Sequence, residues 1–213
     1  MINFFLKIFY LLRRLPILKR FLNSFLRRIL FTINRDKFIY TYKKSKFFLN
    51  IRDSIDREFF MNGYYENEQI KILSKKIREH SINFFIDVGS NIGIYSILMA
   101  NQFSNLETHA FEPHKDAFSR LRNNIKLNKL SKKVKIYHYA LSNKTGTSFL
   151  ETKNRFKISQ SGGAKISSKG DTKIRNEVGD SLLKIKNEKI AIKIDTEGHE
   201  LFVLHGIINL LSN

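Results

Sequence analysis

Asp87-Val88-Gly89-Ser90-Asn91-Ile92-Gly93 ends an apolar run that starts at Phe84 and leads into the apolar stretch Ile94–Asn101. An acid at a strand end, with glycines following in the turn, suits a connection that brings a ligand against the main chain. Gly89 lets the backbone turn sharply and leaves room for that approach. Gly93 lets the next helix pack closely on the strand. The first N–H groups of the helix have no partner within it and can donate to a polar ligand. Asn91 stands where a dinucleotide turn, G-x-G-x-x-G, has the glycine that makes room for a pyrophosphate. A ligand without a pyrophosphate, such as S-adenosylmethionine (SAM), tolerates that side chain. Its carboxylate and amino group would lie near this turn. An ordinary strand–turn–helix connection is the other reading.

Two more acidic positions fall at strand ends. Glu112 closes Thr108–Phe111, 19 positions beyond Gly93. That is about where such folds place an acid, roughly 20 residues on, to accept hydrogen bonds from ribose hydroxyls. A solvated loop acid is the alternative. Lys193-Ile194-Asp195-Thr196-Glu197-Gly198-His199-Glu200 follows the apolar run Ile190–Ile194 and delivers three acids and a histidine to one strand end. Such a group could orient an amine, deprotonate an acceptor hydroxyl or hold a metal. It could equally be a helix start with Glu side chains in its first turn. No metal site is assigned.

These residues need a sheet whose strand ends converge. Phe84–Val88, Thr108–Phe111, Val134–Ala140 and Ile190–Ile194 read as strands. Ile94–Asn101, His114–Asn128, Asp180–Ile185 and Glu200–Leu211 read as helices between and after them. Asp56–His80 is a helical region with the apolar stripe Ile70, Ile72, Leu73 and Ile77. Phe38–Leu49 is a hairpin or a linker, Thr147–Ile158 has room for a hairpin, and Ser159–Asp171 is a Gly/Ser-rich loop. Strands alternating with helices predict an α/β fold, a Rossmann-like parallel sheet of about four core strands covered on both faces.

The chain has 213 residues, 42% of them hydrophobic, which suffices for a packed core, and no cysteine. That excludes disulfides, thiolate metal sites and a cysteine nucleophile. The formal net charge is +19, which attracts anions. From Met1 to Arg35 every charged side chain is basic. In Lys19–Phe31 the apolar residues Phe21, Leu22, Phe25, Leu26, Ile29 and Leu30 share one helical face. Pro16 separates this helix from an earlier one, Asn3–Leu15. Arginines interrupt every run that a membrane span would need, and no small-residue cleavage site marks a signal peptide. A helix in the interface of an anionic membrane and a helix packed on the domain both fit. No nucleic-acid-binding signature is present, and nucleic acid is not an expected partner. Residues 1–55 are therefore taken as a basic amphipathic segment and linker, and 56–213 as the ligand-binding domain.

Asp87–Ser96, Phe111-Glu112-Pro113 and Lys193–Glu200 together resemble the FkbM family of SAM-dependent O-methyltransferases, in order and in spacing. Lesser matches are Gly63-Tyr64-Tyr65-Glu66, Asn124–Asn128, Ala140-Leu141-Ser142 with Gly146, and Ser161-Gly162-Gly163. The resemblance covers about residues 60–211. It implies a class I methyltransferase that binds SAM through Asp87, Gly89, Asn91, Gly93, Glu112, Ser142 and Glu66. Asp195 and His199 are the catalytic candidates on the acceptor side. The implied acceptor is a hydroxyl of a sugar, glycolipid or similar small molecule. The implied location is cytoplasmic, with a peripheral position on the inner face of the membrane. A complete class I domain has seven strands, and this chain stops after the helix that follows the fourth. The expectation is a domain lacking its last strands. The alternative function is a catalytically inactive, membrane-associated or binding module. A nicotinamide dehydrogenase is disfavoured by Asn91.

Overall fold

The computed structural model describes residues 36–152, 163–185 and 188–212, with Phe25, Arg28 and Thr32 as isolated positions before them. The expected helix Asn3–Leu15 lies outside the described residues, as does Lys19–Phe31 apart from Phe25 and Arg28. Phe38–Leu49 resolves as a hairpin, β1 (Lys37–Tyr42) and β2 (Ser45–Asn50). The helical region Asp56–His80 is divided into α1 (Ser54–Asn62) and α2 (Asn67–Glu79). Gly63 divides it: at φ 73 it turns left-handed and its N–H donates back to the carbonyls of Phe59 and Phe60. Next come β3 (Phe84–Val88), α3 (Ile94–Gln102), β4 (Glu107–Phe111), α4 (Lys115–Leu127) and β5 (Val134–Tyr137).

The expected strand Val134–Ala140 is also divided. β5 stops at Tyr137, and β6 (Ala140–Leu141) joins a second sheet with β7 (Gly146–Glu151), β8 (Lys165–Ile166) and β9 (Thr172–Glu177). β9 escaped the sequence reading because Ile174 is its only apolar residue. α5 (Gly179–Leu182), β10 (Ile190–Ile194), α6 (Glu200–Gly206) and α7 (Ile208–Leu211) complete the order. The predicted helix Glu200–Leu211 breaks at Ile207, which is fully buried with φ −126. Asp180 starts α7 by accepting the N–H groups of Asn209 and Leu210, both at 3.0 Å. Among the described residues no helix is long and apolar enough to cross a membrane.

The main sheet has the order β10-β3-β4-β5, with every neighbour parallel. This is the expected Rossmann-like α/β arrangement. Side-chain alternation divides β3 between two layers. Phe85 packs with Phe47, Leu49, Phe59, Ile97 and Leu121 on the side of the hairpin, α3 and α4. Ile86 and Val88 pack with Leu183, Val203 and Ile207 on the other side. The hairpin thus shares the main core with the residues after 55.

β2 has one edge on β1, and its other N–H groups need partners. α4 supplies them from side chains. Asn124 Oδ1 accepts the Phe48 N–H at 2.6 Å and Asn128 Oδ1 accepts the Lys46 N–H at 2.9 Å. The helical spacing of four thus matches the strand spacing of two. Asn124 Nδ2 also donates to the Ile92 carbonyl at 3.0 Å, which ties the hairpin to the turn before α3. Asn124→Leu leaves a buried donor and a buried acceptor unpaired, and should cost about 2–4 kcal/mol. Asn128→Ala, at a more exposed site, should cost about 1 kcal/mol or less. Urea midpoints of the two variants check this; equal costs would refute the bridging role of Asn124.

Candidate functional site

The carboxyl ends of β3, β4 and β10 open into a cleft of about 880 Å³, mouth included. Its first wall is the turn after β3. Gly89, Asn91 and Gly93 all have positive φ, at 74, 50 and 85. A Cβ on Gly89 would lie 2.0 Å from the Asp195 carbonyl oxygen. The close approach that requires glycine here is that of the chain leaving β10, and Gly89 also lines the cleft. A Cβ on Gly93 would lie 2.5 Å from Leu121 Cδ1. Its tight contact is with α4 rather than with the strand.

Asp87, expected to bind cofactor, is fully buried and is not part of the cleft lining. Its Oδ2 accepts the Ser96 hydroxyl at 2.6 Å and the Ser96 N–H at 3.2 Å, and so holds the first turn of α3. Burial raises its carboxyl above the usual range, against the pull of Lys193.

Glu112 does line the cleft. Oε2 accepts the Asn91 N–H at 2.8 Å and Oε1 accepts the His114 N–H at 2.7 Å. The carboxylate clamps the turn after β3 to the start of α4. Each oxygen keeps a second lone pair for a ligand hydroxyl. Burial pushes Glu112 up to about 7, although both N–H donors favour its charge.

Lys193 is the residue that sequence reasoning missed. Its Nζ donates to the Gly89 carbonyl at 3.1 Å and lies 3.3 Å from Asp195 and 3.7 Å from Asp87. It also sits 5.3 Å from the centre of the Tyr95 ring. Burial opposes its charge, but Asp87, Asp195 and Glu66 outweigh that and hold the ammonium above its ordinary value. The available signal was a single cation inside the apolar strand Ile190–Ile194. Glu66, at φ 38, does not line the cleft. It acts on it through Tyr95, whose hydroxyl donates to Glu66 Oε2 at 2.5 Å.

Asp195, Thr196, Glu197 and His199 reach the cleft from the end of β10. Glu200 braces the loop that precedes α6. Its Oε1 accepts the N–H groups of Thr196 at 3.0 Å and Gly198 at 3.1 Å. His199 Nε2 is 3.0 Å from the Ser142 hydroxyl, and its ring stacks on Phe202 at 4.6 Å. Burial lowers its pKa, so the imidazole is neutral at neutral pH. Ser142 is buried behind it and outside the lining. Phe111, Tyr139, Leu141, Leu150 and Ile166 give the cleft an apolar wall. Among the described residues no cluster of three acids or histidines could hold a metal.

Residues 87–213 match the family described as the methyltransferase FkbM domain. The chain is 31% identical over 150 residues to the hexuronic acid methyltransferase AglP of Haloferax volcanii. That match takes in 70% of this chain and 59% of the relative, so the chain spans little more than half of the relative's length. Among solved structures, TYW2 of M. jannaschii in complex with AdoMet is 22% identical with a TM-score of 0.37, covering 47% of this chain and 42% of that one. A SAM-dependent methyltransferase from Agrobacterium tumefaciens is 12% identical with a TM-score of 0.39, covering 49% and 33%.

The raised Glu112 carboxyl carries a pH signature. Its ordinary value is 4.5 and its folded value about 7, so folding takes up a proton between those limits. Stability is therefore greatest below that window and falls as pH rises through it, by up to about 3 kcal/mol. Glu112→Gln should remove this part of the slope, while the buried acids Asp56 and Asp87 act in both proteins. Urea unfolding at pH 5 and pH 7.5 measures it; an unchanged slope in the variant would show that Glu112 is not the titrating group.

Proposed function

Because the chain belongs to the FkbM methyltransferase family, we propose that its cleft binds SAM and that the whole protein methylates a hydroxyl of a sugar or glycolipid. The observation that carries this reading is the Glu112 carboxylate, held at the end of β4 beside the Asn91 turn. It stands where ribose hydroxyls need an acceptor. The apolar wall of Phe111, Leu141 and Leu150 suits a planar base. The cation of Lys193 and the carboxylate of Asp195 suit an amino-acid end, which carries both charges. The residues present fit the cofactor. Bound SAM supplies a methyl group already activated on a sulfonium.

The protein's own residues then have to place the acceptor and take its proton. Asp195 is half exposed at the cleft and can accept a hydrogen bond from the acceptor hydroxyl. His199 is neutral and can take the proton that hydroxyl releases. Ser142 orients the imidazole, and Glu66 fixes Tyr95. The relative's substrate, a hexuronic acid by its name, supports a sugar acceptor. The basic segment 1–35 would bring the enzyme to acceptors at an anionic membrane surface.

S-adenosylhomocysteine should raise the melting temperature of the full chain while NAD leaves it unchanged. A rise with NAD alone would sink the SAM reading. In single-turnover transfer, Asp195→Asn should lose more activity than His199→Ala, because Asp195 also meets the cofactor's side of the cleft. The reverse order would invert the two roles.

A further inference from the structure

α3 and α4 start at the cleft, and their other ends open a second groove of about 1560 Å³, mouth included. By the length of α4, the two lie roughly 20 Å apart. Lys43, Lys44 and Lys46 reach the groove from the hairpin, and Lys129 from just beyond α4. α2 adds Lys71, Lys75 and Arg78, which the i, i+4, i+7 spacing puts on one helical face. Among the described residues no acid and no aromatic ring lines it, and Ile70, Leu98 and Leu127 give it an apolar part.

Some of these charges already have partners. Lys71 pairs with Glu68 at 2.7 Å and Lys75 with Glu79 at 3.6 Å, all exposed. Lys43 lies over the Tyr42 ring and Arg78 over the Phe103 ring. Lys44, Lys46 and Lys129 have no ion pair among the described residues. Backbone geometry is a second, independent sign. Lys43, Lys44 and Lys129 have φ of 47, 66 and 58. A two-residue hairpin turn with positive φ at both positions favours Asn-Gly, and lysine there is sterically disfavoured. The attraction of helix C-termini for cations accounts for Lys129, but not for the hairpin pair. Strain of this kind, kept at both turn positions of a hairpin beside one basic groove, is of the sort that clusters at binding sites.

We propose that this groove binds a ligand carrying at least two phosphate charges, such as a pyrophosphate or a phosphorylated head group. Lysine ammonium groups serve as point charges for phosphate. The concave shape and the lack of a stacking ring argue against a single-stranded nucleic acid.

Calorimetric titration of the full chain with inorganic pyrophosphate tests this. Substituting Lys44, Lys46 and Lys129 together by Gln should weaken binding at least tenfold. Substituting the exposed Lys144, Lys173 and Lys184, outside the groove, should change it less than twofold. Lys43→Asn with Lys44→Gly should raise the melting temperature and weaken binding together, since the strain and the charges reside in the same turn. A parallel loss of affinity for vesicles of phosphatidylcholine with phosphatidic acid assigns the groove to a lipid head group. A loss for pyrophosphate alone assigns it to a soluble ligand, and either result upholds the site. No binding to either probe, equal loss in the control variant, or a stabilised turn with unchanged affinity overturns it. So does an oligonucleotide that binds more tightly through the same lysines.

Discussion

The site is organised around one buried cation. Lys193 and Asp87 face each other in register on adjacent parallel strands, β10 and β3. Asp87 is wholly buried, and an isolated carboxylate there would be far too costly to keep charged. Lys193 compensates it at 3.7 Å and simultaneously reaches Asp195 and the Gly89 carbonyl. The end of β10, the turn after β3 and the first turn of α3 are thereby bound to one ammonium group. Replacing such a group without its partners is strongly destabilising, because the remaining charge stays buried and unpaired. Among the described residues the same cation is the only lysine or arginine lining the cleft, so the interaction that closes the sheet also brings positive charge to it.

Side chains replace main-chain partners at several joints. Glu112 joins the turn after β3 to the start of α4 by accepting one N–H from each. Asn124 links β2, α4 and the Ile92 carbonyl. Arg120 of α4 pairs with Asp53 at 3.2 Å and with Asp56 at 3.1 Å, both at the start of α1. α4 therefore carries polar contacts from the cleft to the hairpin, although much of its face is apolar packing. Burial holds several of these acids above their ordinary pKa, Asp56 up to about 7. The chain has accepted ionic groups in its interior at the places where its elements must keep a fixed relation.

The two grooves at opposite ends of α3 and α4 differ in chemistry. The cleft mixes Glu112, Asp195 and Glu197 with Lys193 and an apolar wall. Among the described residues the basic groove has no acid in its lining and takes three of its cations from the hairpin. The cleft lining carries more acids than lysines and the groove lining carries cations, so the two suit ligands of opposite charge. The +19 net charge of the chain is thus not spread evenly over its surfaces.

The sequence by itself determined the strands of the main sheet and the helices that follow β3 and β4, the turn at Gly89–Gly93, and the acids Glu112 and Asp195 at strand ends. These are local signals: hydrophobic period, glycine at a turn, a charged residue closing an apolar run. The family resemblance rested on the same residues. Tertiary structure decided which of those acids meet the cleft. Asp87 and Glu112 look alike as strand-end carboxylates, but side-chain alternation turns Asp87 toward Ser96 and Lys193, while Glu112 lies past its strand and faces the opening. Gly89 reads locally as a turn glycine, and the Asp195 carbonyl that packs where its Cβ would stand comes from more than a hundred residues away. Lys193 shows in the sequence only as a cation inside an apolar strand, and its role depends on two carboxylates brought together by the fold. β9, with one apolar residue, exists because β6 and β7 offer it partners on both sides. Periodicity reports what each segment can bury; only the assembled sheet decides which polar groups are left facing one another.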